Sequence, residues 1–156
     1  MKFIFSIAIF LLNCCYINAQ QKWYIESSIG KAVERNNNFD NSISFTLGRV
    51  LGKKDYRIDI WGAYIFDKDA KNSFSTAALF TTGSIIESDK LILTASVGAG
   101  INKSNNISLI TPLRGKFGYC ITKNLLLGLD ITSCINLSDH KNDSFSSFGL
   151  FFGFKF

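Results

Sequence analysis

The sequence predicts an all-β chain: an eight-stranded antiparallel up-and-down transmembrane β-barrel preceded by a cleavable signal peptide. Three observations predict it. After residue 20, apolar residues return at every second position in eight separate stretches, the period of a strand with one apolar face. No stretch there is a continuous apolar run long enough for a transmembrane helix. The segments between the stretches alternate between short ones and longer, more polar ones, and an even number of strands lets such a chain close on itself.

The N-terminus is read first. Lys2 supplies a positive start, Phe3 to Leu12 (FIFSIAIFLL) an apolar core too short to span a bilayer, and Ala19 the small residue before a cleavage site. Residues 1–19 are therefore expected to be a signal peptide and residues 20–156 one barrel domain. Lipid attachment at Cys14 or Cys15 is a weaker alternative, because Asn13 is a poor fit to the small residue preferred before a lipidated cysteine, and a retained anchor is another. Beyond the signal two cysteines remain, Cys120 and Cys134, and they are expected as free thiols at opposite ends of two paired strands.

The first strand is expected at about Lys22 to Lys31, with Trp23, Ile25 and Ile29 on one face and Tyr24, Glu26, Ser28 and Gly30 on the other. The second, about Ser42 to Val50, sets Ile43, Phe45 and Leu47 against Ser44, Thr46 and Gly48. In the third, Tyr56 to Phe66, the residues Tyr56, Ile58, Ile60, Tyr64 and Phe66 oppose Arg57, Asp59 and Trp61. The fourth, about Ser73 to Ile85, has small residues on both faces and no readable phase. The fifth, about Lys90 to Ile101, sets Leu91, Leu93, Val97 and Ile101 against Thr94, Ser96, Gly98 and Gly100. The sixth, about Ile107 to Ile121, carries Leu109, Leu113, Phe117 and Tyr119 opposite Ser108, Arg114, Lys116, Gly118 and Cys120. It also holds Pro112, which lacks an N–H, so a bulge or an unpaired position is expected there. The seventh, about Leu125 to Leu137, opposes Leu127, Leu129, Ile131 and Ile135 to Gly128, Asp130, Thr132, Cys134 and Asn136. The eighth, about Phe145 to Phe156, opposes Phe148, Leu150, Phe152, Phe154 and Phe156 to Gly149, Phe151, Gly153 and Lys155.

Alternation alone does not say which face meets water. A secreted lipocalin-like barrel, with its apolar face turned inward onto a ligand, alternates in the same way. Three features favour lipid outside. The polar face is mostly Ser, Gly, Thr and Ala, suited to a small packed lumen and poor in the Lys and Glu of a wetted surface. Trp23, Tyr56, Phe66, Phe74, Tyr119 and Phe156 lie near strand ends, where interfacial aromatic girdles belong. The final run from Phe148 to Phe156 (FGLFFGFKF) is an amphipathic strand ending in Phe. The short connections, 51–55, 86–89 and 122–124, then fall on the periplasmic side, and the polar ones, 32–41, 67–72, 102–106 and 138–144, outside.

Gly115 to Asp130 (GKFGYCITKNLLLGLD) resembles a hairpin that recurs in the small outer-membrane barrels of the OmpA/OmpX type, a strand ending in Gly-Tyr, a tight turn, and a strand opening on Leu-x-Leu-Gly. The resemblance covers the mature chain in architecture and only this hairpin and the C-terminus in motif. It implies a Gram-negative outer-membrane location, reached by export through the signal peptide, with membrane lipids as partners. It also implies recognition of the last strand, through Phe152, Phe154 and Phe156, by the outer-membrane assembly machinery. No added periplasmic domain is expected after the barrel.

Function is less legible. The inward charges Glu26, Arg57, Asp59, Arg114, Lys116, Asp130 and Lys155 are expected to form a paired network, since unpaired charges in a narrow lumen are costly. A tight turn centred on Lys123 sets Lys116 across from Asp130, with Arg114 on the diagonal. Such a network plugs and pins a barrel, so a structural or surface-interaction role is expected, with a narrow small-solute or ion pore as the alternative. No catalytic residue is assigned. The single His, His140, stands beside Asp139 in a polar loop, where a solvated surface is the ordinary role. One His and two distant Cys give no metal-ligand spacing, and no cofactor is expected. The net charge of +5 is scattered, which leaves no footprint for nucleic acid. A monomer is expected. An extracellular ligand would meet the outer loops, where Phe39 stands beside Asn36, Asn37, Asn38 and Asp40.

Overall fold

The computed structural model describes residues 23–34, 39–51, 56–66, 73–103, 106–137 and 144–156. Eight strands follow one another: β1 (Trp23–Glu34), β2 (Phe39–Leu51), β3 (Tyr56–Phe66), β4 (Phe74–Glu87), β5 (Leu91–Lys103), β6 (Ile107–Cys120), β7 (Leu125–Asn136) and β8 (Phe145–Lys155). Each pairs antiparallel with its neighbours, and β1 pairs with β8, so the sheet is a closed barrel with no free edge. Trp23 and Phe156 exchange backbone hydrogen bonds of 3.0 and 2.9 Å, which extends the closing seam to the end of the chain.

The period of two in the sequence becomes the wall of the barrel. On β3 the outward set Tyr56, Ile58, Ile60, Tyr64 and Phe66 is exposed, while Arg57, Asp59, Trp61 and Ile65 are buried. The same sorting holds on β1, β2 and β5 to β8, with the apolar phase expected from each sequence. Ile29, Phe45, Val97, Leu129, Ile131 and Leu150 all stand on the outside. An exterior of this kind is stable only against hydrocarbon. The outward direction of this apolar face overturns the alternative of a barrel built around an internal ligand.

Four local findings refine the expected elements. β1 and β2 run further than expected, with Val33 paired to Phe39, so Ala32, Val33, Glu34, Phe39, Asp40 and Asn41 belong to strands and not to a loop. β4, whose phase the sequence did not show, turns Phe74, Thr76, Ala78, Phe80 and Thr82 inward and Ser75, Ala77, Leu79 and Thr81 outward. Phe74 is thus a lumen residue, 6% exposed, and not part of an interfacial girdle. The girdle positions Tyr56, Phe66, Tyr119 and Phe156 do face outward, and Trp23 shares their face.

The register of β4 against β5 shifts between Ser84 and Ile86. This irregularity switches the parity of the strand, so Ile85 and Ile86 are both exposed and Glu87 falls opposite inward-facing Ile92. Pro112 sits on the inner face of β6 without a bulge. The β5–β6 ladder is interrupted between Val97↔Leu113 and Gly100↔Ile110, and the register is the same on both sides of the gap. Both cysteines are free thiols, Cys120 near Leu126 at one end of the β6–β7 pair and Cys134 opposite Pro112 further along. The expected signal segment, residues 1–19 with Cys14 and Cys15, lies outside the described residues, as do the asparagines 36–38 and His140.

Candidate functional site

The candidate site is the lumen, where, among the described residues, the wall converges charged side chains. Strand alternation aims Glu26 from β1, Arg57 and Asp59 from β3, Arg114 and Lys116 from β6, and Asp130 from β7 at the barrel axis, and all six are buried. Lys155 on β8 lies at the mouth nearer the chain termini, 19% exposed. They lie in the half nearer the chain termini and the short turns.

Neighbouring strands decide only part of the pairing. Lys116 and Asp130 are ladder partners, as the tight β6–β7 turn requires. Across the lumen, however, Lys116 donates from Nζ to Glu26 Oε2. Arg114 lies between two carboxylates, 4.0 Å from Glu26 and 3.9 Å from Asp130, and donates to Thr46 Oγ1 at 2.9 Å. Ser28 donates to Asp130 at 2.6 Å. Arg57 and Asp59 share a face but serve different partners. Asp59 accepts from Tyr24 Oη and, at 2.7 Å, from Thr82, whose hydroxyl is 2.8 Å from that of Ser96. Arg57 reaches Glu87 at 3.0 Å and Ser84 at 3.4 Å. Glu87 also lies 4.0 Å from Lys155, so a carboxylate absent from the sequence-derived set links two of its cations.

Two glycines make this packing possible. Tyr24 and Asp59 are the ladder neighbours of Gly48 on either side. A Cβ on Gly48 would collide with the Tyr24 ring and come within 2.5 Å of Asp59 Oδ1. The bare backbone lets the ring lie flat along the wall and carry its hydroxyl to Asp59. Gly128 plays the same part for Phe151, whose ring lies 2.6 Å from where a Cβ would stand. Lys116 lies over both rings, 6.0 Å from the centroid of Tyr24 and 5.5 Å from that of Phe151.

Above the charges, toward the longer loops, the lumen changes character. Ala32, Trp61, Ile65, Phe74, Ala78, Phe80, Ile110, Cys134 and Phe145 form a buried apolar cluster. Trp61 meets Phe80 edge to face at 5.7 Å, and Phe74 meets Phe145 at 5.0 Å. Arg114 lies 5.8 Å from the Phe80 centroid, so the two regions touch there. Near the outer end Thr76 donates to buried Asn102 at 3.1 Å.

The assignable chemistry is thus positional. Among the described residues no three His, Cys, Asp or Glu side chains converge as metal ligands must. The terminal residues Phe152, Phe154 and Phe156 all face outward, with the rings of Phe154 and Phe156 stacked at 6.3 Å.

No family model and no curated protein matches the sequence. Solved structures match the fold. The N-terminal β-barrel domain of Pseudomonas aeruginosa OprF is similar at a TM-score of 0.68 and 13% identity, over 86% of this chain and 97% of that one. Neisserial surface protein A matches at 0.65 and 11%, over 86% and 95%. The outer-membrane enzyme PagL matches at 0.61 and 14%, over 83% and 97%. The chain therefore has the fold of the small eight-stranded outer-membrane β-barrels, and the outer membrane is where a closed barrel with this lipid-facing band belongs.

Proposed function

We propose that the chain is a monomeric, closed barrel in the outer membrane of a Gram-negative bacterium, with a structural or surface-interaction role and no conducting lumen. One observation carries the reading: the interior is occupied by side chains in two successive layers, a charge network and then the aromatic cluster of Trp61, Phe74, Phe80 and Phe145. Eight strands enclose a space that side chains can fill. A barrel of this kind offers its environment two surfaces, the lipid-facing band and the outer loops, and a ligand or receptor would meet the loops. The proposed partners are membrane lipids along the wall and the assembly machinery at β8 through Phe152, Phe154 and Phe156. The lumen carboxylates Glu26, Asp59 and Asp130 are engaged by cations or hydroxyls, as a structural network requires.

Single-channel recording in planar bilayers tests the closed lumen. The wild-type barrel is expected to give no steady discrete conductance, and such a conductance would overturn the reading. A narrow ion path is the second reading. It is favoured by polar groups in the charged half that find no protein partner, the hydroxyls of Thr94 and Thr132 and the Nε atoms of Arg57 and Arg114. Ordered water satisfies such groups. Replacing Trp61, Phe74 and Phe145 with Ala together separates the two: the triple variant is expected to conduct where the wild type does not.

A further inference from the structure

Arg49 is a strand cation that the lumen does not explain. It lies near the periplasmic end of β2 and shares the outward, lipid-facing phase of Ile43, Phe45 and Leu47. Its ladder neighbours are Trp23 and Ile58, also outward. The guanidinium lies 5.3 Å from the Trp23 ring centroid, and its Nε is buried without a hydrogen-bond acceptor. No carboxylate among the described residues pairs with it, since the buried acids of β1, β3 and β7 are on the other side of the wall. A charge left in this position at the edge of an apolar belt is costly unless something anionic meets it.

The same hairpin fixes its depth. Trp23 and Arg49 mark one margin, and Lys31 and Asn41, paired in register, mark the other. Between them the outward residues are Ile25, Ser27, Ile29, Ile43, Phe45 and Leu47. From Trp23 to Lys31 the strand rises about 27 Å at ~3.4 Å per residue. A tilt of ~40° leaves about 20 Å along the membrane normal, close to the height of the apolar band of such barrels. Arg49 therefore stands at headgroup level. Lys31 differs, because its amine already donates to Asn41 at 2.6 Å.

We propose that Arg49, stacked on Trp23, binds the headgroup phosphate of an anionic phospholipid in the periplasmic leaflet. The planar guanidinium offers paired N–H donors that match two phosphate oxygens, and the indole covers its apolar face. The inference rests on the outer-membrane reading and gives its lipid partner a chemical class and an address.

The test uses tryptophan fluorescence of the chain reconstituted in bilayers. The two tryptophans are separated by the wall, since Trp61 is buried in the lumen and Trp23 is outside. Brominated phosphatidylglycerol competes with unlabelled phosphatidylcholine for the site beside Trp23. Wild type is expected to prefer phosphatidylglycerol about five-fold, the share of one cation at a membrane surface. Arg49→Gln should reduce the preference to parity, and Arg49→Lys should keep part of it. A Trp61→Phe background isolates the Trp23 signal. If that variant folds poorly, the difference between wild type and Arg49→Gln still reports it. Parity in wild type, or an unchanged preference in Arg49→Gln, overturns the proposal. Loss of the preference on adding inorganic phosphate to the bulk would assign a free-phosphate site and overturn it as well. Failure of any brominated lipid to quench either protein would overturn the membrane reading along with it.

Discussion

The two halves of the lumen are filled by opposite chemistry within one continuous wall. Toward the outer loops Trp61, Ile65, Phe74, Phe80, Ile110 and Phe145 pack as an ordinary apolar core. Toward the chain termini Glu26, Arg57, Asp59, Arg114, Lys116 and Asp130 are as deeply buried, but they are held by ion pairs and hydroxyls. The difference teaches how each half should fail. Truncating an apolar side chain leaves a cavity, and the cost scales with what the neighbours cannot refill. Removing one member of a buried ion pair leaves an uncompensated charge, which costs more than the pair contributed.

The largest expected effect comes from Glu26→Leu, which strips Lys116 of its acceptor and removes one of the two carboxylates flanking Arg114. A loss of about 3–5 kcal/mol is expected in urea unfolding of the reconstituted barrel. Adding Lys116→Met should recover a substantial part of it. If the double variant is no better than the single, the charges are not coupled as the geometry indicates. Phe74→Ala probes the other half and should cost about 3 kcal/mol by cavity formation, with no such rescue. A loss under about 1 kcal/mol would mean that Phe145 collapses into the space and that the plug is loosely packed. Tyr24→Phe keeps the ring over Gly48 and removes the hydroxyl that donates to Asp59. About 1–2 kcal/mol is expected, because Thr82 still donates to the same carboxylate. Lys155→Ala is the smallest. Its 4.0 Å contact with Glu87, itself one-third exposed, is expected to contribute under about 1 kcal/mol. A larger loss would show that the mouth is drier than its exposure indicates.

The same division explains what was legible in the sequence. A strand with one apolar face announces itself, so seven of the phases could be read from residues such as Ile58, Leu127 and Phe152. β4 could not, because Phe74 and Phe80 face in while Leu79 and Ile85 face out. The apolar plug was hidden for the same reason. Its members lie on the face that elsewhere carries Ser, Gly and Thr, and Ile65, Ile110 and Phe145 look like breaks in a period and not like a layer. The inward charges were visible one by one, and Lys116 across from Asp130 followed from the short β6–β7 turn. The pairing of Lys116 with Glu26 did not, because β1 and β6 are not neighbours and meet only through the closed interior. Glu87 was missed because the β4 irregularity reverses parity just before it, and no single-strand pattern shows a shift of register.

The seam between β1 and β8 ties residues near one end of the sequence to residues near the other, with Ile25 beside Phe154 and Ile29 beside Leu150. Loop closure over such a separation is slow, and it gives no return until both partners are present. Ser28 and Asp130, bonded across the interior, come from opposite sides of that delay. A chain still waiting for its final segment holds a curved sheet with two open edges, and Glu26 on β1 is far from Arg114 and Lys116 on β6. Assembly is thus governed by arrival of the last strand, and until then the polypeptide needs shelter from its own stickiness.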